Sequence, residues 1–149
     1  MYNYTRKLSE NFTLGEMVGM RADNIPECDE TINLVILTQR VLQPLRSVFG
    51  AIRINSGFRS KEYNAKVGGV ATSQHTKGQA ADIVPLSADI ENVFKAIVKG
   101  MEYDQCILED NGYSKWIHVS YNLGNNRKQA MTAIVDKNGT HYSKWEGKQ

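Results

Sequence analysis

The chain has 149 residues, 41% apolar and 23% charged, with a formal net charge of +2. That balance fits one soluble domain, expected to span 1–149, with a core large enough to hold without staples. So small a charge, with no Lys/Arg cluster interleaved with aromatics, gives no argument for a nucleic-acid partner.

No apolar run approaches the ~20 residues of a membrane span, so no membrane insertion is expected. The start, MYNYTRKLSENFTL, has a basic pair but no apolar stretch behind it, so no signal peptide is read there. Cytoplasmic synthesis is therefore the expectation. A monomer is assumed, although nothing in the sequence fixes the oligomeric state. Cys28 and Cys106 lack both CxxC spacing and framework density, and read as small buried hydrophobes in a reducing compartment.

In chain order, the first strong pattern runs from Asp29 to Phe49. Ile32, Val35, Ile36, Val41, Leu42, Leu45, Val48 and Phe49 recur at helical spacing before Gly50. Pro44 inside that run is expected to kink the helix. AIRINSG follows as a short strand, and Ser60 to Val67 as a short helix closed by Gly68 and Gly69. Ala80 to Val84 is a second strand, with Pro85 stopping it. Ser87 is the expected cap of a helix whose apolar face is Ile90, Val93, Phe94, Ile97, Val98 and Met101. Gln105 to Glu109 and Trp116 to Tyr121 read as strands joined by a turn at Asp110 to Gly112. A last hairpin, Ala130 to Val135 and Thr140 to Trp145, turns at Asp136 to Gly139. Helices come first and strands pair late, so the fold class is α+β with helices on a small, mainly antiparallel sheet.

Two of the three histidines carry the chemistry. His75 lies in SQHTKGQAADI with Asp82 seven residues on, and His118 lies in WIHVSY. Two imidazoles and one carboxylate make the three-ligand set of a catalytic zinc site, which keeps one position open. Glycines 68, 69 and 78 would let the intervening loop fold back. Arg59 sits just past the first strand and Glu109 ends the strand expected beside His118. A metal, a cation and a spare carboxylate are the parts of metal-assisted amide hydrolysis.

The run INSGFRSKEYNAKVGGVATSQHTKGQAADI resembles the signature of the zinc D-alanyl-D-alanine carboxypeptidases, a family that includes phage endolysins. It belongs to a wider group with lysostaphin-like enzymes and hedgehog domains, which implies a hedgehog-like α+β fold. The likeness covers SGFRS, Asn64, Val67-Gly68-Gly69, SQH and Gly78-x-Ala80-x-Asp82. It resumes at Tyr103-Asp104-Gln105 through Glu109 and at WIHVS. NFTLGEM and VLQPLR also resemble phage and prophage members.

The resemblance implies Zn2+ held by His75, Asp82 and His118, with Arg59 binding or polarising substrate near the scissile carbonyl. It implies that Ser73 helps hold the substrate's terminal carboxylate. Many relatives carry an acidic residue three before the last histidine ligand, or a histidine two before it. Lys115 and Trp116 stand there instead. Glu109 on the partner strand is the substitute general base, with Asp104 and Asp110 as competitors. Trp116 reads as cleft wall in contact with substrate, or as core. Tyr63, Asn64 and Asn122 could line the cleft or serve loop packing, and His141 reads as an exposed hairpin histidine.

Two functions stay open. One is a peptidase on peptidoglycan stem peptides, a phage or prophage lysin acting on the wall after release or from a virion. The mild positive charge suits that anionic polymer. The other is an inactive, zinc-bearing cell-wall binding module. The bond cut, D-Ala-D-Ala, L-Ala-D-Glu or one in a cross-bridge, is left undecided.

Overall fold

The computed structural model describes residues 1–147. Near the N-terminus a short helix, α1 (Leu14–Val18), starts at a capping box: Thr13 accepts from the backbone of Glu16, whose carboxylate takes the Thr13 N–H at 2.8 Å. The Thr-x-x-Glu spacing within NFTLGEM carries this helix, which the apolar periodicity does not reveal. Met17 and Val18 are buried.

The long helical run is divided into α2 (Cys28–Leu37), a π turn (Thr38–Leu42) and α3 (Gln43–Phe49). Pro44 explains the division. It has no N–H for the carbonyl of residue 40 and its ring crowds that carbonyl, so the preceding turn widens, with Gln43 N–H reaching Thr38 O. The extra residue rotates the apolar face. Leu34 and Leu37 become core while Ile32 and Val48, expected on that face, are exposed. Cys28 is likewise exposed at the helix start rather than buried, and only Cys106 is core.

The sheet has six strands in the order β1-β2-β4-β3-β5-β6. These are β1 (Ile52–Ser56), β2 (Ala80–Pro85), β3 (Gln105–Asp110), β4 (Lys115–Ser120), β5 (Gln129–Asp136) and β6 (Gly139–Lys144). All neighbouring pairs are antiparallel except β3 with β5. That exception arises because residues 121–128 cross the start of β3 and lay β5 on its far side. The α+β, mainly antiparallel class is as expected from the sequence.

Between β1 and β2 stand α4 (Lys61–Lys66), capped by Ser60, and a 3-10 turn, Gln74–Lys77. The helix α5 (Ile90–Gly100) buries Val93, Phe94 and Ile97 against the sheet. Its cap is Asp89, which accepts from Asn92 N–H at 3.1 Å, and not Ser87. Two residues further on, Asp89 stands directly before the first turn, where its carboxylate meets both the free N–H groups and the helix dipole. Among the described residues no helix is long and apolar enough to cross a membrane.

One buried amide ties the N-terminal segment to the loop after β1. Asn24, 1% exposed, donates to Val18 O at 3.0 Å and Phe58 O at 2.8 Å, and accepts from Ser60 N–H at 2.6 Å. Asn24→Ala strands all three backbone groups. It should cost about 2–4 kcal/mol, read as a lower urea midpoint with unchanged slope.

Candidate metal centre

Three acceptor-bearing side chains meet at the floor of one cleft. Asp82 on β2 pairs in register with His118 on β4, and both point to the same sheet face. His75 reaches them from the 3-10 turn, whose start Ser73 caps by accepting His75 N–H at 3.2 Å. The ligand atoms of His75, Asp82 and His118 all lie within 4.8 Å of one another. Nδ1 of His118 is 3.1 Å and Nε2 of His75 3.4 Å from Oδ1 of Asp82.

The tautomer of His75 follows from its other nitrogen. Nδ1 faces Gly57 O at 2.6 Å, and a carbonyl only accepts, so Nδ1 carries the proton. In the neutral ring Nε2 therefore turns a lone pair toward a carboxylate. Such convergence of acceptors in a largely buried place calls for a cation, and a carbonyl-tethered imidazole is the usual outer support of a metal-binding histidine. Two imidazoles and one carboxylate fit zinc by donor type. Burial resists ionisation of Asp82, but the His118 and His75 rings beside it outweigh that effect when they present a proton to it, so its carboxyl lies well below the usual range.

Arg59 lies beside the group. Its Nε donates to Ser56 Oγ at 3.0 Å and Nη1 to Asn64 Oδ1 at 3.2 Å, while Nη2 is 3.5 Å from Asp82 Oδ2. The shorter Nε and Nη1 contacts to neutral oxygens aim the guanidinium, and Nη2 completes an ion pair with Asp82. Asn64 is itself buried and holds Val70 O at 2.8 Å. A Cβ on Gly69 would run into its Oδ1, which is why glycine stands there.

Glu109 and Trp116 face each other across β3 and β4, two residues along from the Ile107–His118 pair and on the same face. Trp116 Nε1 donates to Glu109 Oε2 at 2.8 Å. Burial, and then the charge of Asp82, push the Glu109 carboxyl above its ordinary value against the pull of His118, Trp116 and Arg59. Lys115, at the position where relatives carry an acid, points to the opposite sheet face and pairs with Glu91 of α5 at 2.7 Å. The competing carboxylates are engaged elsewhere. Asp110 accepts Gly112 N–H at 2.7 Å in the turn, and Asp104 binds Arg127 and Gln74.

The cleft, about 630 Å³, is lined by Arg59, Ser73, His75, Asp82, Glu109, Trp116 and His118, but not by Tyr63, Asn64 or Asn122. A family model described as Peptidase M15 matches residues 10–120, which include those seven lining residues.

The chain belongs to the M15 peptidase family.

Members of the family are zinc-dependent peptidases, and the donor set of this M15 peptidase agrees with that cofactor. No curated protein matches the chain. The cleft of this M15 peptidase also has walls that sequence reasoning missed: Gln74, Gln105, Arg127 and, from the β5–β6 hairpin, Val135, Thr140 and Tyr142. Gln74 and Gln105 lie within the SQH and Tyr103-Asp104-Gln105 motifs but were given no role, whereas the loop crossing and the parallel pairing that bring in Arg127 and the hairpin are tertiary. Tyr63 lies under the Arg21 guanidinium, 4.1 Å from its ring centre, and His141 is exposed beside Asp136.

Hydrogen bonds from Arg127, against the opposing effect of burial, hold the Asp104 carboxyl below its ordinary range. Its folded pKa is below the unfolded value near 4, so its stabilisation is present above about pH 4 and is lost as pH falls through the folded value. Thermal unfolding followed from pH 7 downward should show Asp104→Asn less stable at neutral pH. Its midpoint should fall less steeply on acidification than that of the wild type.

Proposed function

We propose that this M15 peptidase hydrolyses the stem peptides of peptidoglycan with zinc held by His75, Asp82 and His118. The observation that carries the reading is the convergence of those three groups beside Glu109, a carboxyl that burial and the charge of Asp82 push above its ordinary value. Zinc bound there supplies Lewis acidity, polarising a carbonyl and easing deprotonation of a water. Glu109 is the general base. Trp116 fixes Oε2, which leaves Oε1 to take a proton from the attacking water and return it to the leaving amine. Arg59 donates to the scissile carbonyl oxygen as negative charge develops on it. Ser73 and Trp116 bind the substrate on the cleft walls.

The likeness of NFTLGEM and VLQPLR to phage and prophage members supports a lysin, reaching the wall after release or from a virion. An inactive binding module is disfavoured by the orientation of Lys115, which turns to Glu91 and leaves the space beside Glu109 open. Mass spectrometry of muropeptides digested by zinc-loaded protein tests the reading. New termini at D-Ala-D-Ala or L-Ala-D-Glu are expected, and an unchanged digest refutes it.

Two substitutions separate the roles. His75→Ala should lose zinc by elemental analysis, and full zinc occupancy would remove it from the ligand set. Glu109→Gln keeps shape without basicity, so zinc should stay while turnover drops roughly a hundredfold or more. Full activity in Glu109→Gln would hand the base to another residue.

A further inference from the structure

The cleft has a second built feature, at the end away from Glu109. Asp104, 1% exposed, accepts Arg127 N–H at 2.8 Å and Arg127 Nε at 2.9 Å through Oδ1. Through Oδ2 it accepts Arg127 Nη2 and Gln74 Nε2, each at 2.8 Å. A buried carboxylate with both oxygens doubly engaged holds its donors in fixed orientations. Arg127 is bound along its Nε–Nη2 edge, which leaves the Nη1 N–H groups unused by Asp104. Its side chain is 54% exposed on the cleft wall.

Gln74 is turned by the same carboxylate. With Nε2 committed to Asp104, its Oε1 is buried and no group among the described residues donates to it. A buried carbonyl without a donor is unfavourable, and this one belongs to a residue that lines the cleft. Asp104, braced by Gln74, thus holds a fixed outward donor on one wall.

The register gives its distance from the chemistry. Ile107 pairs with His118, and Asp104 lies three residues before it on the chain that enters β3, whereas Glu109 lies two residues the other way. At about 3.3 Å per extended residue, Asp104 is roughly 10 Å from the metal group along the strand. An extended peptide covers that span in two to three residues.

We infer that Arg127, oriented by Asp104, forms a substrate subsite for an acidic peptide. Arg127 takes a free carboxylate two to three residues from the bond cut, and Gln74 braces the Asp104 carboxylate that holds it. Arg127 lies outside the residues 10–120 that the family model matches, so family membership does not carry this assignment. It rests on the reading that the cleft binds stem-type peptides, and the experiment keeps the two apart.

Two synthetic stem-type peptides are compared on the zinc-loaded chain, identical except that the carboxylate two to three residues from the bond is free in one and a carboxamide in the other. KM and kcat are measured where they are cut, and Kd by calorimetry where they are not. The wild type should prefer the acid about tenfold or more, in KM or Kd rather than kcat. In Arg127→Gln, shown to be folded by a cooperative unfolding transition, that ratio should collapse toward one, with partial recovery in Arg127→Lys. A wild-type ratio near one, or a ratio unchanged in Arg127→Gln, overturns the subsite and leaves Arg127 a purely structural partner of Asp104. The wild-type ratio decides even if the variants fail to fold. Tight, acid-selective binding without cleavage would sink the peptidase reading and leave the subsite standing.

Discussion

The antiparallel register of β2 on β4 is the constraint on which the cleft depends. It sets Asp82 opposite His118, with Ile83 and Ile117 turned to the core side. A slip of β2 by one residue would send Asp82 into the core and Ile83 into water while His118 stayed in the cleft, so the hydrophobic pattern that fixes the register also fixes the site. The neighbouring pair adds to this. An irregularity between Ile54 and Ser56 brings Ser56 alongside Asp82, where its hydroxyl receives Arg59 Nε. The chain then places Gly57 O against His75 Nδ1, so backbone and side chain orient the third donor together.

Around that frame the two nearby carboxyl groups are driven in opposite directions. Asp82 is more buried yet has two imidazoles against its carboxylate, whose protonated forms hold it below the usual range. Glu109 has one indole donor, and burial together with the charge of Asp82 pushes it up. Splitting two acids in this way separates a group suited to holding a cation from one suited to exchanging a proton. Trp116 contributes to both cleft shape and acid strength, because the indole that walls the cleft is the donor that tempers Glu109.

The helical layer serves the cleft indirectly. α5 packs under β3 and β4 and takes up Lys115 through Glu91, keeping that cation off the cleft face. Gly78 at φ +74° lies where a Cβ would strike Glu30 O, and Asn33 donates to Lys77 O at 2.9 Å. The start of α2 therefore packs tightly against the turn that carries His75. That contact positions a ligand from the side opposite the sheet.

The meeting of His75, Asp82, His118, Arg59 and Glu109 in one cleft was legible in the sequence because each sits in a short motif, and the family resemblance ties those motifs together. Trp-x-His within a strand puts the His118 imidazole on the face of Asp82 by the period of two, while Ser-x-His opens the turn that carries His75. The α5 face and the two late hairpin strands were legible for the same reason, being short-range patterns. What tertiary structure alone decided is non-local. The π turn before Pro44 shifted the apolar register of the long helix, a consequence of backbone geometry that counting periods does not contain. The parallel pairing of β5 with β3 depends on a loop crossing over β3, and that crossing brought Arg127 to Asp104 and the β5–β6 hairpin to the cleft. Residues 23 or more apart in sequence meet there through sheet order, and no local spacing records which edge a later strand will join.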